Sequence, residues 1–254
     1  CSDPNCADGA NPQASLSMDP AGNLYGTTPY GGIVGGYGGY GVVFELTPDP
    51  SGTAWTETVL YRFCSLADCA DGGNPGGVIL DAAGNLYGTT GSGGIGGGSF
   101  PFGYGVVFQL TPDPTGTGWT ESVLYSFCAQ SRCADGSDPA GGVISDAAGN
   151  LYGATFAGGT SDLGAVFKLA PDPSGTAWTE TVLYSSSCTQ AGCADDRPSS
   201  DLSMDAAGNL YGATSARRMG SVFELSPDST GTVWTPRVLC AFYYGSCPVG
   251  RYPN

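Results

Sequence analysis

The stretch DAAGNLYG spans residues 81–88 and recurs, with small changes, at residues 19–26, 146–153 and 205–212. Each copy is followed by a Val-Phe-x-Leu run and then by a Trp-Thr pair. All four tryptophans therefore occupy one repeat position: Trp55, Trp119, Trp178 and Trp234. A period of roughly 60 residues is the signature of an array in which one supersecondary unit stacks on its neighbours. The sequence predicts a single repeat domain over residues 1–254.

The second unit shows what each repeat contains. Its four apolar runs span residues 78–80, 85–90, 105–110 and 119–127. They are rich in β-branched and aromatic residues and bounded by Gly, Pro, Asp or Asn, which is typical of strands and not of helices. The joint before Asn85 is predicted to be a tight hairpin in which Gly84 takes positive φ. The joint PDPTG at residues 112–116 is predicted to be a second turn.

Four antiparallel strands per unit predict an all-β fold, a β-propeller of four four-stranded blades. The expected blades span about residues 1–63, 64–127, 128–187 and 188–242, and a tail follows at residues 243–254. An open all-β repeat array or solenoid is the alternative, because repeat arrays of either kind share this logic.

The order of the motifs resembles a known family. Asn-Leu-Tyr-Gly-Thr-Thr, a Gly-rich loop, Gly-Val-Val-Phe-x-Leu, Val-Leu-Tyr-x-Phe and Asp-Gly-x-x-Pro are similar to the GloVer tandem repeat of bacterial secreted or surface-anchored proteins. The first two strands of each unit also look like NHL-type propeller blades. The resemblance covers all four units and implies an exported repeat protein, but it supplies no catalytic residues. The fourth copy departs most, since Cys240 replaces the tyrosine of the other three.

Composition narrows the class of partner. The chain has 8 Lys and Arg against 23 Asp and Glu, and its net charge is −15. An acidic protein without a basic stretch is a poor candidate for binding nucleic acid or an anionic membrane. No apolar run approaches the length of a transmembrane helix, so no membrane span is expected.

The ten cysteines indicate the compartment. An even number of cysteines in a regular local pattern predicts disulfides and an extracellular or cell-surface location. Zinc is the competing interpretation, but the chain has no histidine, and a four-cysteine site would need pairs from two blades to meet. The expected disulfides are Cys1–Cys6, Cys64–Cys69, Cys128–Cys133, Cys188–Cys193 and Cys240–Cys247.

Eight aspartates occupy equivalent turns in the four units. They are Asp19, Asp81, Asp146 and Asp205 in the first turn, and Asp49, Asp113, Asp172 and Asp228 in the second. They could form a calcium-binding rim, but Asp also favours turns because it hydrogen-bonds its own backbone. The turn interpretation is favoured, since the spacing lacks the alternating oxygens of a calcium loop. No metal and no cofactor is expected.

The loops that vary between units, at residues 29–40, 91–104, 156–163 and 215–219, are the candidate interaction site. Function often lies where loops vary over a fixed scaffold. Exposed aromatics on Gly-rich loops suit contacts with protein or sugar, and the alternative is that they fold back to cover the blade edges. The candidate binding residues are Tyr30, Tyr37, Tyr40, Phe100, Phe102, Tyr104, Arg217 and Arg218.

Catalysis finds little support in the residues. Without histidine there is no Ser-His-Asp or Cys-His arrangement. A carboxylate pair would suit a glycan-active hydrolase or lyase. Almost every Asp is repeat-equivalent, however, whereas catalysis needs a unique constellation. The non-repeated acids that could serve are Asp162, Asp195, Asp196 and Asp201.

The sequence therefore predicts a non-catalytic, secreted structural or adhesive module that self-associates in an extracellular assembly or fibre. Its phasing provides four whole units, so no blade is built from both ends of the chain, and uncapped repeat ends tend toward head-to-tail association. The alternative is a carbohydrate-binding, lectin-like β-propeller, with a glycan or a surface protein as partner.

Overall fold

The computed structural model describes residues 4–32, 39–95, 103–116, 118–187, 197–215 and 220–242. The strands form four antiparallel sheets, and each sheet follows its strands in chain order. We number these sheets as blades 1 to 4. Short 3-10 turns lie at Pro4–Cys6, Ala67–Cys69 and Ser131–Cys133. The predicted all-β fold with four blades is confirmed.

The strand bounds are as follows. Blade 1 contains β1 (Ser17–Met18), β2 (Leu24–Thr28), β3 (Val42–Pro48) and β4 (Trp55–Arg62). Blade 2 contains β5 (Gly73–Leu80), β6 (Leu86–Ser92), β7 (Val106–Pro112) and β8 (Trp119–Ser126). Blade 3 contains β9 (Ser137–Pro139), β10 (Ile144–Ser145), β11 (Leu151–Ala157), β12 (Ala165–Pro171) and β13 (Trp178–Ser185). Blade 4 contains β14 (Ser203–Met204), β15 (Leu210–Thr214), β16 (Ser221–Pro227) and β17 (Trp234–Ala241). Both β9 and β10 pair with β11, so they are two parts of one inner strand.

The Leu-Tyr-Gly motif requires glycine at its third position for a steric reason. Gly88 on β6 lies directly opposite Phe108 on β7. A Cβ at Gly88 would come within 2.7 Å of the Phe108 ring and 2.9 Å of the Gly77 carbonyl oxygen. Gly84 in the preceding turn is different, because it has a φ of 88° that L side chains avoid. The repeat therefore keeps one glycine for space and another for backbone conformation.

Three apolar cores join the four blades in sequence, and the core between blades 1 and 2 is typical. Phe63 at the end of β4 contacts Phe108 edge-to-face, with ring centroids 4.9 Å apart. Tyr25 packs against Trp119 with a centroid distance of 6.4 Å. We call the surface of a blade that packs on the preceding blade its leading face, and the opposite surface its trailing face. Phe108 and Trp119 lie on the leading face of blade 2, while Tyr25 and Phe63 lie on the trailing face of blade 1.

The core between blades 2 and 3 repeats both aromatic contacts, whereas the core between blades 3 and 4 has Ser186 in place of the phenylalanine. Phe127 packs on Phe167 at 5.0 Å and Tyr87 on Trp178 at 6.2 Å between blades 2 and 3. Tyr152, Val166 and Leu183 of blade 3 pack on residues of blade 4. The leucines that follow the Asp-x-x-Gly-Asn turn are fully buried in the later blades: Leu86, Leu151 and Leu210. Aromatic pairs of this geometry add about 0.5–1.5 kcal/mol each beyond their burial.

Candidate functional site

The leading face of blade 1 is partly exposed in the described part of the chain: Phe44 is 7% exposed, but its apolar neighbours are more accessible. Leu16 is 49% exposed, whereas Val78 at the same repeat position is 4% exposed. Trp55 is 47% exposed, while its equivalent Trp119 is partly buried against blade 1. Leu24 is likewise only partly buried. The residue types are those of the covered leading faces, so blade 1 carries the same apolar surface without a described neighbour on it.

The trailing face of blade 4 is uncovered in the matching way. Phe242 is 59% exposed, although its equivalents Phe63 and Phe127 are each 1% exposed. Its backbone position is the same, because its N–H donates to the Gly220 carbonyl just as that of Phe127 donates to Gly105. Leu239 is exposed on the same face. These two surfaces are the unmatched halves of an interface that the chain forms three times.

The variable loops give a mixed result. Tyr30 is 40% exposed, and its carbonyl accepts hydrogen bonds from Ala10 N–H and Thr28 Oγ1. Tyr40 packs on the core between blades 1 and 2, and Tyr104 packs on the core between blades 2 and 3. These two side chains are partly buried, and whether the variable loops bind a partner stays a prediction. The remaining candidates, Tyr37, Phe100, Phe102, Arg217 and Arg218, lie outside the described residues.

The cystine loops close as expected where they are described. Cys64 is bonded to Cys69 and Cys128 to Cys133, with Cα atoms 4.0 Å and 3.9 Å apart. Cys6 and Cys240 are also disulfide-bonded. The other predicted members, Cys1, Cys188, Cys193 and Cys247, lie outside the described residues. The disulfides fit an extracellular protein. Within the described ranges, no group of three or more acidic or cysteine side chains is placed to hold a metal ion.

The carboxylate of each first-turn aspartate accepts hydrogen bonds from groups in or next to its own turn. The Asp81 Oδ1 atom accepts hydrogen bonds from the backbone N–H groups of Ala83 and Asn85. Its Oδ2 atom accepts from the side chains of Asn85 and Tyr87. Burial opposes ionisation, but these hydrogen bonds outweigh it and lower the pKa of Asp81. Asp19, Asp146 and Asp205 repeat the pattern, which supports the turn interpretation over calcium.

Two partly buried glutamates with raised pKa values, Glu121 and Glu180, were not predicted from the sequence. Burial, with a smaller contribution from the charge of Asp71, raises the pKa of Glu121 on β8 to about 7. Burial and Asp135 do the same for Glu180 on β13, whose pKa is also about 7. Both aspartates follow the cystine loops by two residues and are fully buried. Asp71 accepts hydrogen bonds from Ser65 N–H and from the Tyr61 hydroxyl. Glu121 and Glu180 hold the same repeat position in two blades, so their raised pKa values are explained by the repeated structure.

A cavity of about 420 Å³ lies where the first strands of all four blades converge. Its lining includes Gln13, Gly76, Gly141 and Asp201, one from each blade. Asp201 is not free for chemistry in this arrangement, because its Oδ1 accepts a hydrogen bond of 2.6 Å from Gly142 N–H.

Asp162, one of the non-repeated acids, lies in the loop between β11 and β12. Asp162 accepts a hydrogen bond from Gly158 N–H and so closes its own loop. Asp195 and Asp196 lie outside the described residues. No helix in the described ranges has the length and apolar character that crossing a membrane would require.

Several solved structures resemble this fold at low sequence identity. The aldose sugar dehydrogenase of Streptomyces coelicolor matches with a TM-score of 0.54 and 14% identity over 91% of this chain and 69% of that one. The β-fructofuranosidase of Bombyx mori gives a TM-score of 0.51 and 12% identity over 91% and 50%. Trypanosoma rangeli sialidase gives 0.50 and 14% over 89% and 37%. The chain thus spans less than two thirds of the last two, and the likeness shows the fold alone.

The sequence itself places the chain among repeat proteins. No protein of curated function matches it. The model of the Gloeobacter/Verrucomicrobia repeat matches residues 95–252, which is more than half of the chain. This match confirms the GloVer resemblance read from the motif order, and the likeness to NHL-type blades stays a prediction. The chain belongs to the Gloeobacter/Verrucomicrobia repeat family.

Proposed function

We propose that the chain is a secreted, non-catalytic structural module that self-associates head to tail in an extracellular assembly. The observation that carries this proposal is the pair of unmatched faces at the two ends of the array. The trailing face of blade 4 offers Phe242, and the leading face of blade 1 offers Leu16 and Trp55, which are all exposed. Exposed apolar surfaces that complement each other mark contact sites.

The internal interfaces supply a template for this contact. Phe242 of one copy would pack on Phe44 of the next, as Phe63 packs on Phe108 within the chain. Trp55 would pack on Tyr211, as Trp119 packs on Tyr25. Such an interface joins two different surfaces, so it generates either closed rings or open fibres.

Electrostatics sets the conditions for assembly. A net charge of −15 opposes the approach of two copies. At physiological ionic strength this repulsion is screened beyond about 8 Å. Burial of apolar area at the end faces, worth about 25 cal/mol per Å², then favours contact. Assembly is therefore expected to strengthen as salt is added. The disulfides support placing the assembly outside the cell.

Sedimentation velocity at increasing protein concentration in physiological salt tests the proposal, with electron microscopy of the largest species. Trp55→Ser and Phe242→Ser are each expected to reduce association at least about tenfold, since each removes a large buried aromatic contact. Tyr30→Ser is the matched control, because Tyr30 is similarly exposed but lies in a variable loop. A strict monomer, or loss of association only in Tyr30→Ser, would overturn the end-face proposal.

Glycan binding is the second candidate function. It is favoured by the sugar-active proteins that share the fold and by the axial cavity lined from all four blades. A glycan array probed with the folded chain tests it, together with the Tyr30→Ser variant. Saturable glycan binding by a protein that stays monomeric would favour this function over the structural one.

A further inference from the structure

The interface between blades 3 and 4 contains an apolar cavity beside Ser186. Its volume is about 150 Å³. The trailing face of blade 3 contributes Val166, Tyr184 and Ser186, and blade 4 contributes Pro198, Phe223, Pro236, Arg237 and Val238. The side chains of Arg237 and Val238 are substantially exposed, so they form the rim. The wall is apolar, and the pocket opens to solvent past this rim.

The cavity exists because a phenylalanine is missing. The position of Ser186 is held by Phe63 and Phe127 in the first two blades. All three donate the same backbone hydrogen bond, from their N–H to the glycine carbonyl of the preceding loop, at 2.9–3.1 Å. Serine is much smaller than phenylalanine, so the space of the phenyl ring is left empty.

The first two interfaces show how a ring occupies this space. Phe127 lies between Tyr125 and Phe167, with centroid distances of 5.3 Å and 5.0 Å, both edge-to-face. Tyr184 and Phe223 hold the corresponding positions in the third interface, and both line the cavity. An incoming aromatic ring would therefore meet the same two aromatic neighbours in the same arrangement.

The base of the cavity carries one polar group. Ser186 is 0% exposed, and its hydroxyl has no hydrogen-bond partner in the described part of the chain. A buried hydroxyl without a partner is unfavourable, so a ligand that pairs with it gains affinity. At the rim, Arg237 is already paired with Glu224 at 2.6 Å. The pocket is therefore suited to a neutral aromatic ring that carries one hydroxyl group.

We propose that this cavity is a binding site for a small phenolic molecule. The ring lies between Tyr184 and Phe223, and its hydroxyl exchanges a hydrogen bond with Ser186 Oγ. The size is appropriate, because an apolar protein cavity of about 150 Å³ is large enough to hold benzene. Binding replaces a side chain that this blade lacks, and it joins blades 3 and 4 more firmly.

Calorimetric titration of the folded chain with phenol tests the proposal, and thermal unfolding gives an independent readout. The expected result is saturable binding at one site and a higher Tm with phenol. Ser186→Phe is expected to raise the Tm by itself and to weaken phenol binding at least about tenfold, because it fills the cavity. Ser186→Ala keeps the cavity but removes the hydroxyl, so it should weaken phenol more than benzene.

A matched variant in the second blade tests whether removing the phenylalanine is enough to create a phenol site. Phe127→Ser creates an equivalent cavity between Tyr125 and Phe167 and should lower the Tm, with phenol restoring part of the loss at a second site. The proposal is overturned if the unmodified chain does not bind phenol, or if Ser186→Phe binds it as tightly as the unmodified chain does.

Discussion

Replacing Gly88 by alanine tests the physical basis of the repeat motif. The new methyl group would lie 2.7 Å from Cζ of Phe108 and 2.9 Å from the Gly77 carbonyl oxygen. Real Cβ atoms do not approach other heavy atoms this closely, so the sheet or the ring must move. Overpacking of a filled core costs about 1–3 kcal/mol. Gly88→Ala is expected to fall in that range, although alanine is otherwise preferred to glycine in a strand by about 0.5–1 kcal/mol.

Phe108→Ala removes the other partner of the contact. Phe108 is completely buried, so its loss should cost about 3–5 kcal/mol. In the double variant the alanine methyl at position 88 enters the space that the ring has left. The combined loss should therefore be smaller than the sum of the single losses by about 1–2 kcal/mol. The Gly77 carbonyl still restricts the methyl group, so the rescue is incomplete.

Urea unfolding of the four proteins with their disulfides intact measures these free energies, provided that the slope of each transition is unchanged. Gly77→Ala is the matched control, because a Cβ there would meet only the Ala14 methyl at 3.6 Å. It should change the stability by less than about 0.5 kcal/mol. Additivity of the Gly88 and Phe108 losses within about 0.5 kcal/mol would refute the proposed contact.

Three further predictions follow from the polar groups and the cystines. Glu121→Gln and Glu180→Gln should remove a decline in stability between about pH 4.5 and about pH 7, because the folded-state pKa of about 7 exceeds the ordinary 4.5 and the folded protein retains protons that the unfolded chain releases. Equal urea midpoints for variant and parent across that window would contradict this. Asp81→Asn should cost about 1 kcal/mol at neutral pH. Because the pKa of Asp81 is lowered, the parent's advantage should be present above the ordinary Asp pKa and decrease as the pH falls through the lowered folded-state pKa, and an advantage that does not change with acidification would contradict the assignment. Replacing Cys64 and Cys69 by serine opens a loop of about six residues and should cost about 2 kcal/mol. Non-reducing peptide mapping checks the pairing, and a free Cys64 thiol would refute it.

The fold was largely predictable because its signals are local. Period-two apolar runs and Gly, Pro and Asp turns repeat in each unit, and those features specify strands and joints without knowledge of neighbours. Glu121 was not predictable. A glutamate in an outer strand normally faces solvent, whereas Glu121 is partly buried and lies within the electrostatic influence of the buried Asp71.

The exposure of the candidate surfaces could not be predicted from the sequence either. Phe63 and Phe242 hold one repeat position and are the same residue type, yet one is buried and the other is exposed. The difference depends on whether another described blade packs on that surface, which no local pattern encodes. The Ser186 cavity was visible only as a departure from the repeat. Its meaning required the positions of Tyr184 and Phe223 on either side of the space.

The distribution of large apolar residues supports the view that the end faces are covered in the working assembly. Terminal repeats of a soluble array normally carry a polar outer face. Here blade 1 retains Leu16 and Trp55 on its leading face, and blade 4 retains Phe242 on its trailing face, where each is exposed. The one described blade that has lost the phenylalanine at this position is blade 3, where Ser186 is completely buried. At this repeat position the phenylalanine is therefore kept in blade 4, where it is exposed, and replaced by serine in blade 3, where the position is buried. Solubility of an isolated four-blade unit would favour a polar residue at position 242, and the end-face contact proposed above would account for the phenylalanine there.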